Sequence, residues 1–96
     1  MEDATRRDAQ SGDPRAQYAL SEIEFKRGNK REALGWLAKS VGQGFSDACY
    51  SMAMFQIAGV SVPYDAVDAR RNLRTAADKG HADAGLVLSQ LVRSGY

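Results

Sequence analysis

His81 is the only histidine and Cys49 the only cysteine in the chain. They are the obvious candidates for metal or nucleophilic chemistry. A metal site needs several converging donors, and a nucleophile needs a base beside it. His81 stands in Gly80-His81-Ala82, in a turn ahead of a helix, with neither kind of company. A structural turn role is expected for it, since one imidazole makes neither a metal site nor a triad. Cys49 has no adjacent cation to draw off its proton, so a packed, inert thiol is expected. Glu22 and Glu24 lie two apart on a helical stretch, which sends them to different faces and rules out a paired acid and base. The glycines read as helix ends, so no loop cradles phosphate and no cofactor is implied. Basic residues cluster at Lys26-Arg27 with Lys30-Arg31, and at Arg70, Arg71 and Arg74. They lack the interleaved aromatics that stack bases. With 13 basic against 12 acidic residues, the net charge is only +1. Nucleic acid is therefore not an expected partner.

The elements that must position these side chains are helices. From Gly44 to Gly80 the sequence holds two amphipathic segments around a turn-rich loop, Gly59 to Asp65. Two helices of roughly 12–15 residues, each burying one stripe, are not stable alone. Copies flank them. A slide of 32 residues back takes Ala48 to Ala16, Tyr50 to Tyr18, Met52 to Leu20 and Gly44 to Gly12. A slide of 36 forward takes Ala48 to Ala84, Met52 to Leu88 and Phe45-Ser46-Asp47-Ala48 to His81-Ala82-Asp83-Ala84. Ala33, Leu37, Ser40 and Val41 likewise map onto Ala69, Leu73, Ala76 and Ala77. A period in the thirties that keeps small residues in register signals stacked helical hairpins.

Each segment carries its own signals. Pro14 suits the first position of a helix, and Ala16, Leu20 and Ile23 give that helix a core stripe. Asn29 with Glu32 reads as a capping box for the next, whose stripe is Ala33, Leu34, Leu37 and Val41. Ala48, Met52 and Phe55 form the next stripe, and Asp65 after Pro63 is a cap for the helix bearing Ala69, Leu73 and Ala76. The last helix spans about 82–93, with Ala84, Leu88 and Leu91 inward and Leu86 and Val87 on a face with no following helix. Alanines at 16, 48, 69 and 84 fit close helix crossings.

These residues resemble the Sel-1-like repeat family, relatives of the tetratricopeptide repeats. The matches are Gly80, His81, Ala82 and Ala84 at a repeat junction, and Gly59, Val62, Asp65, Ala69, Ala76 and Ala77 within a repeat. Trp36 falls on the family's tryptophan position, whereas Asn72 replaces that tryptophan in the second repeat and Ser61 replaces a loop glycine. The resemblance implies an all-α fold, a right-handed α-solenoid of antiparallel helix pairs. One domain would fill 1–96: a capping helix remnant at 1–12, repeats at 13–44 and 45–80, and the first helix of a third repeat at 81–96.

First helices of such repeats line a concave groove. The resemblance therefore implies a partner-binding groove of Tyr18, Glu22, Phe25, Tyr50, Met54, Ile57, Leu86 and Gln90, with Arg15, Asp47 and Asp83 at its rim. The competing expectation is that Tyr18, Tyr50 and Ile57 pack between repeats, since a chain of 96 residues has a modest core. The expected function is protein–protein interaction with a protein or peptide partner, without enzymatic activity. The alternative is an N-terminal accessory module of a longer enzyme, or a unit that self-associates through its last helix. No stretch approaches 18 apolar residues, so no membrane insertion is expected. The first residues, MEDATRRDAQ, lack the apolar run of a secretory signal. A cytoplasmic setting is expected, and a leader removed upstream is compatible with the same sequence.

Overall fold

A computed structural model describes residues 2–95. It consists of α1 (Glu2–Gln10), α2 (Pro14–Lys26), α3 (Lys30–Gly42), α4 (Ser46–Ala58), α5 (Ala66–Asp78) and α6 (Ala82–Arg93). Each helix packs against the next, and among the described residues there is no strand. The result is an elongated all-α repeat solenoid, 43 × 25 × 17 Å.

Local chemistry sets the helix starts. Asp13 Oδ1 accepts from the backbone N–H of Arg15 at 2.9 Å, with Pro14 opening α2. Asp65 Oδ1 accepts from Asp68 N–H at 3.0 Å and starts α5. Such caps satisfy donors that the helix itself leaves free. The expected cap at Asn29 does not form: Asn29 precedes α3 but makes no side-chain capping bond. Its backbone, φ −88° and ψ 68°, lies outside the extended region that aims a capping oxygen at the first turn. Gly80 turns the chain between α5 and α6 at φ 89°, a left-handed value that glycine takes without steric cost. Gly42 ends α3 as expected, whereas Gly35 and Gly85, expected at helix ends, lie within helices instead.

The core is built from Leu20, Leu37 and Leu73 among alanines. Burying each leucine contributes about 1.5–3 kcal/mol. Ala33, Ala48, Ala53, Ala69, Ala76 and Ala84 are fully buried, letting the helices approach closely. Ile23, Met52, Phe55 and Leu88, expected inside, are only half-buried. The buried arc of α2 instead takes in Gln17, Ser21 and Glu24, because a helix clamped between two neighbours buries more than one stripe. These polar groups are bonded. Gln17 Nε2 donates to Ala9 C=O at 3.2 Å and its Oε1 accepts from Gln43 Nε2 at 3.0 Å. Gln56 Nε2 donates to Asp68 Oδ2 at 2.6 Å, and Asn72 Nδ2 donates to Gln56 Oε1 at 3.0 Å. Among the described residues no buried side-chain polar atom lacks a partner.

Candidate partner-binding face

The helices α2, α4 and α6 occupy equivalent places in the repeat, and their junctions share a ring-on-ring contact. Tyr18 of α2 meets Phe45, the residue before α4, with centroids 5.7 Å apart. One repeat later, Tyr50 of α4 stacks on His81, the residue before α6, at 4.6 Å. His81 does more than stack. Its Nδ1 accepts from Ala84 N–H at 3.1 Å, which caps α6. Accepting there leaves the proton of the neutral ring on Nε2, and Nε2 lies 3.3 Å from Asp47 Oδ1. The imidazole thus ties α4 to α6, a structural role.

The two junctions differ in how they are filled. Between α4 and α6, Tyr50, Ile57, Val87 and Leu91 all join one apolar cluster with Leu73 and Ala76 of α5. Between α2 and α4 there is a groove of about 400 Å³. Tyr18, Phe25 and Phe55 wall it, Ser21, Leu37 and Ser51 line it, and Glu22, Lys26 and Ser61 also border it. Phe25 and Phe55 hold one another with centroids 5.4 Å apart. Tyr18 Oη and Ser51 Oγ are hydrogen-bonded at 3.1 Å. Burial pushes the Tyr18 phenol above its ordinary value, opposed by the bond to Ser51 and aided by the Glu22 charge.

Of the residues named from the sequence, Tyr18, Glu22 and Phe25 border this groove. Tyr50 and Ile57 pack on the second cluster. Arg15, Asp47, Met54, Asp83, Leu86 and Gln90 are exposed. Sequence reasoning missed Ser21, Lys26, Leu37, Ser51, Phe55 and Ser61. One signal was available: the register that pairs Ala48 with Ala84 also pairs Ser51 with Val87, a small polar residue for an aliphatic one.

No group of three metal-ligating side chains occurs among the described residues. Cys49 is buried, and that burial raises its thiol pKa. Glu24 is buried against Arg27, 3.5 Å away, and Arg27 also pairs with Glu2. No helix among the described residues is long and apolar enough to cross a membrane.

Stacked helical hairpins of this kind define a helical-repeat solenoid. The chain is a Sel-1-like repeat protein, and the similarities are specific. It is 31% identical over 84 residues to Sel1-repeat-containing protein YjcO of Escherichia coli K12, a match covering 88% of this chain and 36% of YjcO. YjcO of Shigella flexneri is similar to the same extent. The crystal structure of a Sel1 repeat protein from Oxalobacter formigenes superposes with TM-score 0.90 at 25% identity, covering 96% of this chain and 72% of that one. The structure of c5321, a protective antigen present in uropathogenic Escherichia coli strains displaying an SLR fold, superposes with TM-score 0.86 at 26% identity, covering 99% of this chain and 21% of that one. No family model matches the chain. The chain spans 36% of the length of the curated relatives it matches.

Proposed function

We propose that the domain is a non-enzymatic interaction module that holds a peptide or protein segment against the face made by α2, α4 and α6. The observation that carries this reading is the open, aromatic-walled groove between α2 and α4. Aromatic side chains are favoured anchors because they offer large contact area with few torsions to freeze. Met54, 37% exposed on the same face, adds an adaptable apolar contact. The Sel-1-like fold supports the reading, since repeat stacks present extended surfaces rather than enclosed pockets. Repeats would run over 13–44 and 45–80, with 1–12 as a cap and α6 opening a third. A cytoplasmic setting suits a chain whose single cysteine can form no internal disulfide. A photo-crosslinking residue placed at Met54 is expected to trap a partner in cells, whereas one at Arg71 on α5 is not. Trapping only from Arg71 would refute the assignment of the face.

A second reading rests on α6, where Leu86 and Val92 are each 58% exposed. That surface would take a further repeat of a longer parent chain, whether an enzyme or another scaffold, or a second copy. Sedimentation velocity across a range of concentrations separates these. A mass that rises with concentration and falls back on Val92→Glu supports the second copy. A constant monomer mass rules it out.

A further inference from the structure

We infer that the α2/α4 groove receives one aliphatic side chain of an acidic peptide, whose carboxylates meet the cationic end of α2. This rests on the reading that the α2–α4–α6 face binds a partner, and it names that partner's chemistry.

The apolar part of the argument comes from the repeat itself. At the α4/α6 junction the equivalent position is Val87, which, like Ile57, packs against the buried cluster that contains Leu91. At the α2/α4 junction Ser51 stands in the place of Val87, and Ser21 borders the same space. The missing volume is thus that of an aliphatic group. The walls do not close over it. Tyr18 is held by Phe45 and by Ser51, and Phe25 is held by Phe55. Such an opening is organised before anything binds, which lowers the ordering cost of binding. Ser61 borders it with φ 68°, a left-handed value uncommon for a residue other than glycine. Backbone strain of this kind concentrates at binding and switch sites.

Charge gives the occupant its sign. Lys26 borders the groove at the end of α2, and Lys30 and Arg31 open α3, followed by Glu32. Arg27, between them in sequence, is already paired with Glu2 and Glu24. Among the described residues no ion pair involves Lys26, Lys30 or Arg31. Carboxylates on a peptide complement this cluster, and such complementarity fixes register as well as encounter rate. Glu22, one helical turn before Lys26, repels acidic residues from the other side. The anchor therefore precedes the acidic residues along the direction from Glu22 to Lys26.

The test is a set of amide chemical-shift titrations of the 96-residue chain with three blocked octapeptides. One carries a leucine followed by three glutamates, one has serine in place of that leucine, and one has lysines in place of the glutamates. The first is expected to move the amides of Ser21, Ser51, Phe55 and Ser61 and to bind about tenfold or more tightly than the other two. Ser51→Val, which copies Val87, is expected to abolish those shifts with an equal or higher melting temperature. Lys26→Glu is expected to weaken the acidic peptide about three- to tenfold. Equal binding of the three peptides, or undiminished binding by a folded Ser51→Val variant, would overturn the inference. So would groove shifts that grow with protein concentration alone, which assign the site to a second copy. Partner trapping from Met54 with no groove response to the first peptide removes this inference and leaves the face assignment standing. Loss of both removes both.

Discussion

His81 lies face to face with Tyr50, ring centroids 4.6 Å apart and planes 23° apart, while its Nδ1 caps α6. Tyr18 and Phe45 make the equivalent contact one repeat earlier, tilted at 50° and without a side-chain cap. One imidazole therefore does the work of an aromatic and of a capping acceptor. His81→Ala removes both, and a loss of about 2 kcal/mol is expected from a cap worth about 1 and a ring pair worth about 0.5–1.5. His81→Asn keeps an acceptor and is expected to lose less. Urea unfolding of the two variants at neutral pH measures the difference, and equal losses would deny the cap any role.

Ala48 is fully buried where α4 is clamped by its neighbours. Ala48→Leu has no room and is expected to cost about 1–3 kcal/mol by overpacking. A thermal melt shows it directly. An unchanged midpoint would contradict the buried position.

Tyr18 titrates later than an ordinary tyrosine because burial disfavours its phenolate. The sign for stability follows from linkage. An acid whose folded pKa is raised binds its proton more tightly when folded, so its contribution is intact below the unfolded value near 10 and is lost as pH climbs above it. In a spectrophotometric titration, Tyr18→Phe is expected to remove a component that ionises above the ordinary tyrosine range. Removal of an early component instead would show the phenol to be solvated.

Cys49 is 1% exposed, and its burial disfavours the thiolate that reacts with disulfide reagents. At pH 8 a chromogenic disulfide is expected to label it far more slowly in the folded chain than in urea. Equal rates would mean that α4 opens freely.

The solenoid was legible because it rests on spacing. Ala48 recurs in register as Ala84, and Ala33 as Ala69, and all four are fully buried. Asp65 was legible as a cap for the same local reason. Asn29 was not, since its residue type suits a cap but its backbone angles, set by the turn from α2, do not. Glu24 was read only as lying on a different face from Glu22, and its burial was not foreseen, because sequence periodicity does not reveal how many neighbours clamp a helix. Ser51, and Phe55 as a groove wall rather than a core residue, escaped notice for a related reason. A groove is made by what two distant helices fail to fill, and only the placement of α2 beside α4 shows that Ser51 leaves room where Val87 does not.

Retention of a partner by the immobilised domain, measured together with melting temperature for Met54→Glu and Arg71→Glu, tests the binding face most directly. Both side chains are exposed, so both melting temperatures are expected to stay near wild type. Met54→Glu is expected to reduce the retained partner about tenfold or more, a change of about 1.4 kcal/mol, and Arg71→Glu to leave it unchanged. Full retention by a stably folded Met54→Glu variant, with loss on Arg71→Glu, would contradict the assignment of the α2–α4–α6 face.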